Sequence, residues 1–315
     1  MSISTVTRRA LGAGLFATML ALPVVAQAEP LRVGWSNIGA FEPFFIAERN
    51  GWFAEAGLEV ELIEASNPQQ NVARLMSGEL DLVGSGAAPA IAAIAQGVPL
   101  KIVLGNQNID TQPTVGLVVR ADSPYQSVGD LEGQSIGTFG LQGTGSFLVF
   151  RALREAGFEP DAVELINMPP PTFIENLQNG NVEAIVPFAL FYDLALTNPD
   201  FRLLSDAYGP MIGTPGIIYL SSEAVLAQRG DEFVTFIEVM ARAYDYANAH
   251  PDEVRALDAE LTQLPQAYIA SRPIPPTSVT LDADQLQRLA EDMVAFGFIP
   301  SAPTPEQMLW ERMPN

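Results

Sequence analysis

The chain has 315 residues, 37 of them acidic and 16 lysine or arginine, for a formal charge of −21, and it contains no cysteine. A chain this acidic cannot neutralise a run of phosphates, which excludes nucleic acid as a partner and makes an anionic membrane surface a poor one. Without cysteine there are no disulfides, thiol nucleophiles or thiolate metal sites, so stability must come from a core that this length can supply.

Arg8 and Arg9 precede an apolar run over residues 10–25, and Ala26-Gln27-Ala28 offers a small-residue cleavage site before Glu29. Residues 1–28 are therefore read as a signal peptide cleaved after Ala28, which places the mature chain in the periplasm. The apolar run is too short to span a bilayer comfortably. Thr7-Arg8-Arg9-Ala10-Leu11 resembles a twin-arginine export motif; an ordinary Sec signal carrying two arginines is the alternative. Removing those two arginines, with no acids among residues 1–28, takes the charge to −23. Such acidity reads as a solvated surface that keeps an exported protein dissolved.

The mature chain opens with a strand over residues 31–34, then a helix from about Pro43 to the Asn50-Gly51 stop. Leu58, Val60 and Leu62 alternate with glutamates, the pattern of a half-buried strand. Helix 68–77, strand 80–84, helix 89–96 and strand 100–104 continue a β-α alternation that argues for a mostly parallel sheet. A strand over 114–120 leads out. A second set follows: a turn capped by Ser127, strand 135–138, helix 144–156, strand 163–166, helix 172–179 and strands 184–186 and 201–204. Residues 217–220 form a returning strand, and the remainder is helical over 222–229, 231–248, 251–261 and 282–296, ending with a helix that Thr304 caps and Pro305 starts.

The two sets are copies of one plan. Arg74–Gly86 (RLMSGELDLVGSG) matches Asn176–Phe188 (NLQNGNVEAIVPF), and in each a glycine (Gly78, Gly180) and a carboxylate (Asp81, Glu183) precede a short apolar strand. The predicted architecture is α/β, with residues 29–117 and 213–315 as a discontinuous first lobe and 118–212 as the second. The chain crosses between them twice, near 115–120 and 210–217. Two crossings make a two-strand hinge that permits closure on a ligand, and clefts at strand ends are where α/β folds bind ligands.

The run Asn50-Gly-Trp-Phe-Ala-Glu-Ala-Gly-Leu58 occurs with Gly78-Glu-Leu-Asp-Leu82, Gln96-Gly-Val-Pro99, Gly129-Asp-Leu-Glu-Gly133 and Leu153-Arg-Glu-Ala-Gly157. Together these resemble the exported substrate-binding proteins of ABC importers for nitrate, sulfonates, taurine and thiamine precursors, over nearly the whole mature chain. The resemblance implies a type II periplasmic-binding-protein fold, a monomer that closes on a small molecule and hands it to an ABC permease in the inner membrane, with no cofactor.

Four loops should converge on the cleft. The first carries Trp35, Ser36, Asn37 and Phe41: Asn37 either contacts the ligand or turns the chain locally, and Phe41 either stacks on the ligand or joins the core. The second, Ser85-Gly86-Ala87, exposes backbone N–H groups at a helix start, where Ser85 is either a contact or a plain cap. The third, Gln142-Gly143-Thr144-Gly145-Ser146, combines side-chain donors with a nest of amides; lacking a lysine after its last glycine, it is not a phosphate-binding P-loop. The fourth carries Phe188. Relatives often place an acid after an aromatic here, whereas this chain has Phe188-Ala189. That departure counts against amino-sulfonates such as taurine and favours an apolar or aromatic ligand body. Thr214 and Tyr219, on the return crossing, add a hydrogen bond each or pack the hinge.

The expected ligand is a sulfonate or other small organic anion with an apolar or aromatic body; a neutral heterocycle such as a pyrimidine or a flavin is the alternative. Enzyme readings find little support. The sole histidine, His250, precedes Pro251 at a helix junction and reads as a cap. No histidine or carboxylate constellation suggests a metal or acid–base site. A same-fold enzyme and a sensory partner of a membrane receptor are the alternatives from other classes.

Overall fold

The computed structural model describes residues 29–36, 41–65, 68–109, 114–206 and 213–314. The expected signal peptide lies outside the described residues. In chain order the first set of elements is β1 (Leu31–Trp35), α1 (Glu42–Arg49), α2 (Trp52–Glu55), β2 (Val60–Glu64), α3 (Pro68–Met76), β3 (Leu82–Gly86), α4 (Ala87–Ala95) and β4 (Leu100–Asn108). The second is β5 (Leu117–Arg120), β6 (Ser135–Thr138), α5 (Thr144–Glu155), β7 (Glu164–Asn167), α6 (Phe173–Gln178), β8 (Ala184–Ile185), α7 (Leu190–Thr197) and β9 (Phe201–Ser205). The chain then returns through β10 (Pro215–Ser222) to α8 (Glu223–Ala249), α9 (Pro251–Leu261), α10 (Gln266–Ser271), α11 (Ala283–Ala295) and α12 (Pro305–Met308).

The repeat read from the sequence is a repeat of topology. One five-stranded sheet has the order β2-β1-β3-β10-β4 and the other β7-β6-β8-β5-β9. In each, the fourth strand in that order runs antiparallel to both its neighbours, and it is the strand by which the chain arrives from the other lobe. Each sheet is therefore mixed, with the other four strands running one way, as a mostly parallel sheet requires. The repeated glycines Gly78 and Gly180 both adopt left-handed backbone, at φ 72° and 70°, which ends the preceding helix without a Cβ clash.

The repeated carboxylates also hold equivalent positions. Asp81 N–H donates to the Arg32 carbonyl and Glu183 N–H to the Ser135 carbonyl, each just before a central strand. Asp81 is buried and ion-paired with Arg32 and Arg229, both at 3.0 Å. Glu183 pairs with Arg120 at 2.8 Å and remains partly exposed.

Several boundaries differ from the sequence reading for physical reasons. β4 runs on to Asn108 because β10 and the segment near Thr277 supply hydrogen-bond partners that no local pattern shows. The two helices expected over 222–248 follow each other directly within α8, separated by a kink at Arg229 (φ −121°, ψ 17°), whose guanidinium is held by Asp81, Glu232 and the Pro30 carbonyl. α7 occupies a stretch to which the sequence reading assigned no helix.

Apolar packing divides into three clusters. One lies in the first lobe around Phe44, Phe53 and Phe236, and one in the second around Val118, Phe173 and Ile185. The third joins the lobes, with Ile91 and Met293 packed in one body with Phe147 and Leu148. Phe298, beyond α11, lies 5.5 Å from Phe147 and 5.4 Å from Phe150 between ring centroids. The lobes thus meet through a wedge of side chains as well as through the two crossings. Among the described residues, no helix is long and apolar enough to cross a membrane.

Candidate ligand-binding cleft

The strand-to-helix turns after β3 and β6 come from different sheets and meet. A Cβ built on Gly86 would stand 2.8 Å from the Thr144 hydroxyl. Gly86 is the N-cap of α4 and Gly143 that of α5, and neither helix start is capped by a side chain. The first N–H groups of two helices, with their partial positive charge, therefore converge in a patch of small residues. Small side chains are what permit this approach, since a larger one at Gly86 would strike Thr144.

Around this point the predicted residues of the two turns have definite places. Ala87 opens α4 and is buried; the Ser85 hydroxyl donates to the Gly86 carbonyl at 3.0 Å. Gln142 is exposed and accepts a hydrogen bond from Gln96, at the end of α4, at 2.8 Å, a polar link between the lobes. Gly143 N–H closes a turn on the Gly140 carbonyl at 2.8 Å. Gly145 lies against Thr138 and Val186. Ser146 is fully buried, and its hydroxyl bonds the Gly140 carbonyl at 3.0 Å, so it shapes the turn from inside rather than facing the cleft.

Two aromatic groups stand at or just beyond strand ends, one in each lobe, Trp35 on β1 and Phe188 after β8. Trp35, at the end of β1, lies 5.1 Å from both Phe41 and Phe45. Phe41 is 2% exposed, which makes it the backing of Trp35 rather than a free stacking surface. The Ser36 hydroxyl is buried and without a hydrogen-bond partner among the described residues; Asn37 lies outside them. On the second lobe Phe188, half-buried, packs with Phe139 at 6.0 Å and with Phe173 and Phe191 at 6.5 Å. The next residue, Ala189, has φ 47° and ψ −128°, a strained conformation for a side chain with a Cβ. Its N–H is tied to the Thr114 carbonyl at 2.7 Å, so the crossing segment holds that turn.

Thr214 is half-buried and Tyr219 is buried. The Thr214 carbonyl accepts from Ile109 N–H at 2.9 Å and so joins the two crossings. Tyr219 is 2% exposed, packs edge-on to Phe44 at 4.9 Å and lies against Gly84. Burial, with the neighbouring Glu42 carboxyl second, holds its hydroxyl well above the usual tyrosine range.

Sequence reasoning missed a buried polar cluster beneath this wall. Glu42, the first residue of α1, is 3% exposed and lies 2.5 Å from Arg272. Arg272 also contacts Asp258, itself 1% exposed, at 2.5 Å. Burial raises the Glu42 carboxyl to about 8, Arg272 opposes this, and the Asp258 carboxylate adds to it. The available signal was an acid inside the apolar run Ala40-Phe-Glu-Pro-Phe-Phe-Ile46. His250 stands at the junction of α8 and α9, with Nδ1 2.7 Å from the Tyr246 carbonyl, in keeping with a capping place.

Two cavities lie away from the converging turns: one of about 290 Å³ beside Arg120 and Asp200, and one of about 180 Å³ beside Asn106 and Thr277. Neither is lined by the predicted contacts.

Residues 39–254 match the NMT1/THI5-like family. The chain belongs to that family. The periplasmic aliphatic sulphonate-binding protein of Escherichia coli superposes with a TM-score of 0.72 at 24% identity, covering 90% of this chain and 93% of that one. The NMT1/THI5-like chain thus has a periplasmic-binding-protein fold. The taurine-binding periplasmic protein of Escherichia coli is 23% identical over 258 residues, 82% of this chain and 72% of that protein. The formylaminopyrimidine-binding protein of Halalkalibacterium halodurans is 23% identical over 226 residues, 71% of this chain and 66% of that protein.

Proposed function

We propose that this NMT1/THI5-like protein is an exported, monomeric substrate-binding protein that captures a small organic anion between its lobes and delivers it to an ABC permease in the inner membrane. The best-supported ligand is a sulfonate or similar anion with an apolar or aromatic body. One observation carries this reading: the uncapped starts of α4 and α5, from different lobes, converge at Gly86 and Thr144. An anionic head group there would gain hydrogen bonds from both lobes at once. Binding would then favour the closed pair of lobes, and the permease would meet the loaded form. Trp35 and Phe188 supply apolar surface for the body of the ligand. Relatives named for binding taurine and aliphatic sulphonate agree with this class.

A neutral heterocycle is the second reading, and a specific observation favours it. None of the wall residues named above is cationic, and the chain's net negative charge opposes the approach of an anion. The formylaminopyrimidine-binding relative lies on that side.

A thermal-shift panel of alkyl- and arylsulfonates, taurine, nitrate, aromatic carboxylates, pyrimidines and flavins tests both readings. A ligand at a thousandfold excess over Kd stabilises the native state by about 4 kcal/mol. A large shift confined to sulfonates or carboxylates supports the first reading, and one confined to pyrimidines or flavins the second. Chemical conversion of the bound compound would overturn both in favour of an enzyme.

A further inference from the structure

The cluster beneath the aromatic wall holds two carboxyls and one guanidinium. Glu42 and Asp258 are 3% and 1% exposed, and a single Arg272 nitrogen lies 2.5 Å from both. Arg272 Nε donates a further bond to Asp258 at 2.6 Å. With both carboxyls ionised, the site would bury a net negative charge, which a low-dielectric interior strongly disfavours. One proton therefore belongs to the structure, and Glu42 is its place, since burial and the Asp258 carboxylate both raise that carboxyl against the opposing Arg272.

The remaining groups around Glu42 do not supply a second cation. Tyr219 on β10 is a buried, neutral hydroxyl, with Tyr244 of α8 behind it. Tyr268 on α10 adds another hydroxyl near Arg272; burial and then the Asp193 carboxylate of the second lobe hold it neutral. The cluster thus joins α1, α9 and the end of α10, and its α1 member directly follows Phe41, the ring that backs Trp35.

We infer that Glu42, held by Arg272 beside Asp258, is a positioning residue that sets the Trp35–Phe41 wall through the proton it carries. Loss of that proton leaves two like charges sharing one guanidinium at the start of α1. The start of α1 then moves away from α9, and Phe41 shifts against Trp35. The functional meaning rests on the proposed cleft, but the geometry of the wall does not.

The test needs no ligand, so its failure is distinct from failure of the binding reading. In a chain carrying Trp52→Phe and Trp310→Phe, Trp35 is the sole tryptophan, and its emission is followed from pH 5 to 10. The expected result is a reversible emission change with a midpoint near pH 8. Glu42→Gln should abolish that change and hold the low-pH emission throughout. Asp258→Asn should move the midpoint down, because the opposing carboxylate is gone. An emission change that persists unaltered in Glu42→Gln, or no change in the parent chain, would overturn the inference.

Discussion

Gly86 of the first lobe and Thr144 of the second stand so close that a methyl group on the glycine would lie 2.8 Å from the threonine hydroxyl. This contact joins the two helix starts proposed to share the ligand. It also ties closure of the lobes to the absence of a single side chain.

Gly86→Ala should therefore leave the fold intact, since φ −66° and ψ 149° suit alanine. It should hold the helix starts apart and weaken ligand binding about tenfold, or roughly 1.4 kcal/mol. Adding Thr144→Ala removes the struck hydroxyl and should recover part of the loss. Calorimetric titration of both variants with the ligand found in the panel decides this.

Phe298→Ala should loosen the wedge between the lobes. The lost aromatic contacts with Phe147 and Phe150 are worth about 1 kcal/mol each beyond area burial. The ligand-free protein should show a larger radius of gyration by small-angle scattering. An unchanged radius would mean that the two crossings alone set the lobe arrangement.

The repeated carboxylates should differ in cost despite their matching positions. Asp81→Ala strands Arg32 and Arg229 around a buried site and should destabilise by about 3–5 kcal/mol in urea unfolding. Glu183→Ala breaks one partly exposed pair with Arg120 and should cost about 1 kcal/mol.

Glu42 predicts the sign of a pH dependence. Its folded value of about 8 exceeds the ordinary 4.5, so between those limits the native state holds a proton that the unfolded chain has released. Its contribution to stability therefore falls as pH rises through that window, by up to about 1.4 kcal/mol per pH unit, and levels off above it. Urea unfolding at pH 5, 6, 7 and 8 should show the decline, and Glu42→Gln should flatten it.

Much of the fold was legible because the signals were local. Alternation in Val60–Glu64, the glycine stops and the capping of short turns by Ser127 and Thr304 are all patterns within a few residues, and the two copies of one strand-and-helix plan show as a direct match between segments. The small residues at both helix starts were equally visible, since close backbone approach has a recognisable composition.

What only the tertiary structure decided depends on partners far apart in the chain. Arg272 reaches Glu42 across 230 positions, and no local rule marks that pairing. Phe41, Ser146 and Tyr219 have residue types suited to a ligand, yet packing turned them into backing, turn support and interior. A sequence states which side chains are capable of a contact. Burial and the approach of the two lobes determine which remain available for one, because both are set by summed long-range packing rather than by neighbours in the chain.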